Sequence, residues 1–433
     1  MTTNGVTVHN GSGGKKCLRR EWRVEVSRRV KSTHNPLRAI IEFMNLKPNP
    51  EKSFIPLSVG DPTVFGNFKA CPEIQNALCD AAADPKNNGY SQIIGSEAAR
   101  DAIAQHMNRE GHSITSEDVI IVNGCSGAAE MSVITLANPG QNILIPRPGY
   151  SVFQTVCQAN EIEFRQYDLL PDQKWIADID HMESLIDDDT MAIVVINPSN
   201  PCGSVFSCTH LEAVVALAEK YRIPIIADEI YEHIVFSGKK FTPLASLSKT
   251  VPVLQLGALS KRYLAPGWRL GWIIVHDRDG ILKDVRMGLQ KLCGVVLCAN
   301  TVIQGALPAI LENTPQSFYD DVNRQLQEVA TVAFEMLSKI EGLKPVMPEG
   351  AMYMMVGIEL DEYPEFDDGL AFISALVQEE SVFGLPGECF NCPNFIRIVI
   401  TVPEEKMREA CRRIGVFCEN HRNKIPTNHQ YLH

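Results

Sequence analysis

The chain has 433 residues, of which 45% are hydrophobic and 21% are charged, so it has the composition of a globular protein and the length for two domains. Its net charge of −12 argues against a nucleic-acid partner, because nucleic acids are bound mainly through basic side chains. No apolar run approaches the roughly 18 residues of a membrane span, and the first residues lack the apolar core of a secretory signal.

Residues 1–30 are predicted to form a flexible segment, because small and polar residues dominate the first twenty positions. Eight Lys and Arg residues within 15–31 would suit a mitochondrial presequence, but Glu21 and Glu25 are untypical of one. Thirteen cysteines, scattered through apolar segments, are typical of reduced thiols. We therefore expect a cytoplasmic protein, with a mitochondrial location as the alternative.

The segment 31–70 begins with a predicted helix over Asn35–Met44, which has a proline near its first turn. A strand is expected over Phe54–Val59, where an apolar run ends at Gly60-Asp61-Pro62. This segment is expected to join residues 331–433 in a smaller α+β domain. The later part carries two predicted strands, 351–356 and 395–400, and a helix over Pro403–Asn420.

Between residues 71 and 330, short apolar runs alternate with helical stretches such as Leu211–Tyr221. Most runs are continuous rather than alternating in polarity, as expected of strands that are covered on both faces. This pattern predicts an α/β large domain with a mostly parallel sheet. The predicted strands are Val119–Val122, Asn142–Ile145, Met191–Ile196, Ile223–Ala227, Val253–Leu256 and Leu270–Val275.

Polar motifs follow several of these strands, at the carboxyl ends where ligands bind in such sheets. Gly124-Cys125-Ser126 opens a helix, and the free amides and dipole of a helix start suit a phosphate. Asn200 lies in a turn that two prolines and Gly203 make rigid. Taken alone, the first motif could be a packing turn and the second an ordinary proline-rich turn.

A carboxylate, a phenol, a lysine and an arginine then follow in the order that a lysine-bound pyridoxal phosphate needs. Asp228 would keep a pyridine nitrogen protonated, and Tyr231 would hydrogen-bond the ring oxygen. Lys261 would form a Schiff base with the aldehyde and then act as a general base, while Arg269 would bind the phosphate. Singly, Asp228 could be a helix N-cap and Lys261 a surface charge. Together the four residues predict pyridoxal 5′-phosphate as the cofactor and these as its catalytic and binding groups.

These motifs resemble those of the fold-type-I, or class I, aminotransferases, which use pyridoxal phosphate. The resemblance runs from about residue 33 to about 421 and is greatest to the branch of the family that acts on tyrosine. It implies a seven-stranded sheet in the large domain and a homodimer with its active sites at the subunit interface. The matching stretches are Ser58–Asn67, Asn138–Asn142, Asn197–Phe206, Asp228–Tyr231, Ser260–Lys261, Pro266–Trp272 and Pro393–Thr401.

The resemblance also assigns roles that the residues alone do not. Arg397 would bind the substrate α-carboxylate, with the Gly60 amide beside it. Tyr150 would stack on the cofactor ring, and Tyr90 would reach the phosphate of the neighbouring subunit. The residues expected to bind cofactor are Tyr90, Gly124, Cys125, Ser126, Tyr150, Asn200, Asp228, Tyr231, Ser260, Lys261 and Arg269, and those expected to bind substrate are Gly60, Asn200 and Arg397.

The sequence departs from the family pattern at two positions. Ala258 stands where many relatives have a serine that binds phosphate, so one phosphate hydrogen bond is expected to be missing. Cys202 replaces a common threonine in the asparagine-proline turn, with little expected effect because the prolines shape that turn. Cys389 and Cys392 have the C-x-x-C spacing, but no second pair or close histidine accompanies them, so we expect no metal site.

The expected reaction moves the amino group of an aromatic amino acid (tyrosine, also phenylalanine, tryptophan or methionine) to a 2-oxo acid such as pyruvate or 2-oxoglutarate. Relatives that take aspartate carry a second arginine about 34 residues after the lysine, where this chain has Val295. Aspartate is therefore expected to be poor, and 2-oxoglutarate to require another cation, with Arg262 and Lys291 as candidates. The alternatives are a pyridoxal-phosphate C–S lyase or related β-eliminating enzyme, and a cofactor-binding protein without turnover.

Overall fold

The computed structural model describes residues 24–109 and 113–422. Most of the predicted flexible segment, 1–23, lies outside the described residues, and its last residues enter a helix. Of the helices described, none is both long and apolar enough to cross a bilayer. The α-helices are α1 Arg28–Ser32, α2 Pro36–Met44, α3 Pro72–Ala83, α4 Glu97–Arg109, α5 Gly124–Leu136, α6 Val152–Ala159, α7 Ile179–Ser184, α8 Cys208–Tyr221, α9 Leu244–Leu247, α10 Lys283–Val296, α11 Thr301–Asn313, α12 Gln316–Leu337, α13 Gly369–Glu380 and α14 Glu404–His421.

The six apolar runs predicted as strands between residues 71 and 330 are strands with small shifts at their ends, whereas only Ile55–Pro56 of the strand predicted over Phe54–Val59 is a strand. In chain order they are β1 Ile55–Pro56, β2 Val119–Val122, β3 Asn142–Arg147, β4 Glu163–Leu170, β5 Ile176–Ala177, β6 Thr190–Ile196, β7 Ile225–Asp228, β8 Val253–Ala258, β9 Gly271–His276, β10 Leu343–Pro345, β11 Tyr353–Ile358, β12 Val382–Phe383, β13 Leu385–Pro386 and β14 Phe395–Val399.

Within the described part of the chain, eight strands form the large sheet in the order β2-β9-β8-β7-β6-β3-β4-β5. Neighbouring strands are parallel in four pairs: β8-β7, β7-β6, β6-β3 and β3-β4. Strand β9 runs antiparallel to both of its neighbours, β8 and β2. Strands β2, β3, β6, β7 and β8 therefore end at the same edge of the sheet. This mostly parallel α/β sheet is the predicted one.

Both faces of the large sheet are buried, which explains the continuous apolar runs. Alternate residues of the central strands enter two different hydrophobic clusters: Val194 and Ile226 belong to one, and Val195 and Ile225 to the other. Parallel sheets are normally covered in this way, because the connecting helices pack on both faces.

The sheet has one strand more than the seven expected. The eighth is β5, only two residues long, which pairs antiparallel with β4 at the edge. Strand β4 was itself absent from the predicted runs, because it carries charged residues such as Glu163, Arg165 and Asp168 and is only half-buried along most of its length. Edge strands commonly carry such charges, which discourage pairing with other chains.

A second, four-stranded sheet has the order β10-β11-β14-β13, and all its neighbours are antiparallel. It shares one hydrophobic cluster with helices α12, α13 and α14 and with Ile55 and Leu57 from the N-terminal part of the chain. Strand β1 pairs with β12, which ties residues 55–56 to 382–383. The division into domains at 70/71 and 330/331 stays a prediction, and its second boundary falls within α12.

Candidate active site

The loops at the carboxyl edge of the large sheet surround a cavity of about 460 Å³. Strands β2, β6, β7 and β8 each deliver one of the predicted motifs to it, and the small sheet supplies side chains from β11, β13 and β14. The lining residues include Gly60, Cys125, Ser126, Tyr150, Asn200, Asp228, Tyr231, Ser260, Lys261, Arg269, Tyr353 and Arg397.

One end of the cavity is built to hold an anion. Helix α5 begins there at Gly124, and helix starts present free amides and a partial positive charge. Gly124 has a φ of +71°, and an added Cβ would lie 2.5 Å from Nη2 of Arg269. The guanidinium is thus held against the first turn of the helix, with Ser126 and Ser260 on the same cavity wall.

Asp228, at the end of β7, is only 3% exposed. Its Oδ1 accepts hydrogen bonds from the Cys125 thiol at 3.5 Å and from the Ile230 amide at 3.3 Å. Burial raises the pKa of Asp228 to about 6, against weaker lowering by these donors and by Lys261. A buried carboxylate with such weak partners is costly, so the position suits a cationic ligand atom.

Lys261 points into the middle of the cavity, where its Nζ donates to the Gly60 carbonyl. The hydroxyls of Tyr231 and Tyr353 lie 2.7 Å apart beside it. Burial raises the pKa of Tyr231. Burial also disfavours ionisation of Tyr353, but the positive charges of Lys261 and Arg397 outweigh it and lower the pKa of Tyr353.

Arg397 forms the other end of the cavity and is 3% exposed. It donates to Asn200 Oδ1 at 3.1 Å and to the Ser58 carbonyl at 2.8 Å, and it stacks on Tyr353 with 4.4 Å from Cζ to the ring centroid. Its buried Nε has no hydrogen-bond partner among the residues that the structure describes. A buried guanidinium without a carboxylate partner is a strong candidate for binding one from a substrate.

Pyridoxal phosphate fits this set of groups. Gly124 and Arg269 form the anion end, and Asp228 offers a buried carboxylate where a ring nitrogen requires one. Lys261 supplies the primary amine between them. The Arg397 guanidinium remains for a substrate carboxylate.

Comparison with known proteins agrees with this geometry. A family model described as aminotransferase class I and II matches residues 52–414. The chain belongs to this family. Enzymes of the family are pyridoxal-phosphate-dependent transaminases, so the predicted fold class, enzyme class and cofactor are confirmed.

Individual relatives match nearly the whole chain. A tyrosine aminotransferase of Mus musculus is 49% identical over 410 residues, which cover 94% of this chain and 90% of the relative. The crystal structure of a tyrosine aminotransferase from Leishmania infantum has a TM-score of 0.90 and 32% identity, and the match covers 93% of this chain and 100% of that one. An S-alkyl-thiohydroximate lyase of Arabidopsis thaliana is 34% identical, with 95% of this chain and 90% of the relative covered.

In this aminotransferase, the structure brings nearly all of the predicted site residues to one cavity, although their individual roles stay predictions. There are two exceptions: Gly124, which lies against Arg269 but is not itself a lining residue, and Tyr90, which is 86% exposed and does not line the cavity of its own chain. That position is compatible with the predicted contact to a neighbouring subunit. Ala258 is buried at the end of β8, so this strand end offers no hydroxyl.

Tyr353 was not predicted as a site residue, because it lies within an apolar strand and no local pattern marks it. Its hydroxyl lies 2.7 Å from that of Tyr231, and its ring lies against the Arg397 guanidinium. Strand β11 reaches the site beside the asparagine-proline turn, where an added Cβ on Gly203, whose φ is +69°, would lie 2.5 Å from the Tyr353 carbonyl.

Cys389 and Cys392 and the two candidate cations lie outside the cavity lining. The described residues contain no group of three or more His, Cys, Asp or Glu placed to hold a metal ion. Arg262 is buried in an ion pair with Glu232, 3.3 Å away, and stacks on Tyr319. Lys291 is exposed on α10. Neither cation lines the cavity.

Replacing Tyr353 with phenylalanine is expected to lower kcat about fivefold. The change removes the hydroxyl that orients Tyr231, a neutral hydrogen bond worth roughly 1 kcal/mol. The measurements are kcat and the pH dependence of the bound cofactor's absorbance, which is expected to shift because Tyr231 is predicted to hydrogen-bond the ring oxygen. Tyr363→Phe, which removes a buried hydroxyl in the small sheet's core, is the control. An unchanged kcat and pH profile would show that Tyr353 only packs.

Proposed function

We propose that the protein transfers the amino group of tyrosine, and also that of phenylalanine, tryptophan and methionine, to a 2-oxo acid. The observation that carries this proposal is that four charged side chains surround one cavity. Asp228 is a carboxylate and Lys261 a nucleophilic amine, and two arginines, Arg269 and Arg397, can bind anions. The similarity to tyrosine aminotransferases over most of the chain supports the aromatic substrate class.

When bound, pyridoxal phosphate supplies an aldehyde that takes up the amino group and a ring that withdraws electrons from the substrate α-carbon. Arg269 and the start of α5 would hold its phosphate end, and Asp228 would pair with the ring nitrogen. Tyr231, whose hydroxyl lies 2.7 Å from that of Tyr353, would donate to the ring oxygen. Lys261 Nζ would take the α-proton of the substrate as a general base and give it back as a general acid.

Arg397 orients the substrate by a paired contact with its α-carboxylate, which is the geometry that a planar guanidinium favours. Asn200 holds Arg397 in place through its Oδ1, 3.1 Å from Nη1. The substrate side chain then faces an apolar part of the wall. Its members are Leu37, Ile41, Val59, Val152, Ile230 and Leu385. Such a wall favours an aromatic side chain over a short carboxylate, because an unpaired carboxylate is costly to bury.

The test is to measure kcat/KM for tyrosine and for aspartate with pyruvate as acceptor. The tyrosine value is expected to be at least about 100-fold higher, because burying the unpaired side-chain carboxylate of aspartate is costly. Product analysis with an S-substituted cysteine tests the lyase reaction. Accumulation of the amino form of the cofactor indicates transfer, whereas pyruvate and ammonia without an acceptor indicate elimination. A preference for aspartate, or elimination as the faster reaction, would refute the proposal.

A homodimer is part of the proposal. Ile93, three residues after Tyr90, lines one groove together with Val295 and Val296, and a monomer rarely leaves such apolar side chains exposed together. Val295 is 81% exposed, Val296 57% and Leu297 53%, and they follow one another at the end of α10.

We also propose the cytoplasm as the compartment, which is supported by the described cysteines, all of them free thiols.

A further inference from the structure

The two loops that carry Tyr231 and Lys261 are joined to each other by a buried ion pair. Tyr231 and Lys261 line the cavity, and Lys261 Nζ lies 5.9 Å from the centroid of the Tyr231 ring. The next residue of each loop lies outside the lining, and there the two meet: Arg262 Nη1 is 3.3 Å from Glu232 Oε1. The arginine and glutamate side chains are only 9% and 8% exposed. One contact therefore ties the backbone beside the lysine to the backbone beside the phenol.

Two helices also hold the Arg262 guanidinium. His106 of α4 lies with its Nε2 3.2 Å from Arg262 Nη1. Tyr319 of α12 lies 4.7 Å from Arg262 Cζ, measured to the ring centroid, a distance at which an aromatic ring attracts a cation. The guanidinium thus has three partners from three parts of the chain. Because Lys261 is the preceding residue, these contacts limit where its Cα can lie.

Both loops have an unfavourable backbone conformation close to the ion pair. His233 and Leu264 have φ values of +60° and +53°, in the left-handed region that residues with a Cβ rarely adopt. Such a conformation persists only where the surrounding structure imposes it. The desolvation of two buried charges offsets much of their attraction, so the pair itself adds little net stability. Holding the two loops in one relative position explains the pair better than stability does.

We infer that Arg262, through its ion pair with Glu232, positions Lys261 for bonding to the cofactor aldehyde. This inference rests on the proposed role of Lys261 and explains how its amine is placed. Arg262 is a positioning residue, since it lies outside the cavity lining and acts through its neighbour in the chain. The effect can be large, because misplacing a reacting group by about 1 Å can cost about 100-fold in rate.

The test compares two ligands of the apoenzyme that differ only at the aldehyde. Pyridoxal phosphate can bond to Lys261, whereas 4′-deoxypyridoxine 5′-phosphate has the same ring and phosphate but a methyl group in place of the aldehyde. The ratio of their affinities, measured by titration calorimetry, therefore reports the bond to the lysine. Arg262→Met is expected to lower the affinity for pyridoxal phosphate about tenfold, which corresponds to one charge-assisted hydrogen bond, and to change that for the analogue less than about twofold.

Further variants separate positioning from folding. Arg262→Lys is expected to keep part of the ratio, since lysine retains the charge but not the forked geometry. Glu232→Gln, which keeps an uncharged acceptor, is expected to lower the ratio in the same direction and serves if Arg262→Met does not fold. Arg413→Met is the matched control, because it removes another buried arginine, 2.7 Å from Glu409 and outside the cavity lining. Its ratio is expected to equal that of the wild type.

The kinetic expectation for Arg262→Met is a kcat about tenfold lower with a KM for tyrosine changed less than about twofold, because Arg397 is untouched. An equal loss of affinity for both ligands, or a ratio within about twofold of the wild type in Arg262→Met and Glu232→Gln, would overturn the inference. Lys261→Ala separates it from the role on which it rests. If Lys261→Ala lowers the ratio and Arg262→Met does not, the inference alone fails. If Lys261→Ala leaves the ratio unchanged, the proposed role of Lys261 fails, and the inference with it.

Discussion

Replacement of Lys261 by alanine is expected to lower the rate of amino transfer by about 10²–10⁴-fold, the usual contribution of a positioned acid–base group. Among the residues that line the cavity, Lys261 has the single primary amine. No other lining residue can both bond covalently to an aldehyde and carry a proton between two carbon atoms. The variant keeps Arg269, the start of α5 and Asp228, so it is expected still to bind pyridoxal phosphate.

The measurements are kcat and the absorbance spectrum of the purified variant. The visible band of the lysine-bound cofactor is expected to be replaced by the spectrum of the free aldehyde. Lys291→Ala removes an exposed lysine outside the cavity and is the control. Normal turnover by Lys261→Ala, with cofactor bound, would show that another group moves the proton.

Replacement of Asp228 by asparagine is expected to lower kcat at least about 100-fold and to weaken cofactor binding. The lost interaction is a charged hydrogen bond in a dry site, worth roughly 1.5–3 kcal/mol in binding. Catalysis loses more, because the neutral ring withdraws electrons less strongly from the α-carbon. Asp361→Asn, an exposed surface change, is the control.

The same carboxylate predicts how cofactor affinity depends on pH. Burial raises the pKa of Asp228 to about 6, so below pH 6 the empty site holds a neutral acid that must lose its proton to pair with a protonated ring nitrogen. Cofactor affinity is therefore expected to be constant above pH 6 and to fall, by up to about tenfold per pH unit, below it. As a control, the affinity for inorganic phosphate is measured over the same pH range. Its pH dependence reports the ionisation of the phosphate end alone. Affinity that stays constant to pH 5 would contradict this assignment.

Much of the fold follows from local sequence because the central strands are buried on both faces. Residues such as Val119–Val122 and Ile225–Ala227 have no polar face, and their continuous apolar runs stand out from the amphipathic helices around them. Strand β4 has no such signal. Its identity depends on pairing with β3 and β5, which a local pattern does not encode.

The residues of the site also include some that local sequence predicts and some that it does not. Asp228, Asn200 and Lys261 were predictable because each follows a strand end and has a specific chemical type. Tyr353 was not, because it lies in a strand whose apolar pattern already accounts for it. Its position at the cavity arises only when the small sheet packs against the large sheet, through contacts far apart in sequence.

In the proposed dimer, the exposed apolar groove lined by Ile93 and Val295 would link cofactor retention to protein concentration. In the proposed dimer, each cavity has its Tyr90 contact only while two chains are associated, so dilution removes a phosphate ligand together with the subunit. A small molecule that binds the associated form more tightly shifts the association equilibrium by mass action. Pyridoxal phosphate is such a molecule, and the coupling is reciprocal. Saturation with cofactor lowers the chain concentration needed for assembly, and a high chain concentration lowers the cofactor concentration needed for occupancy.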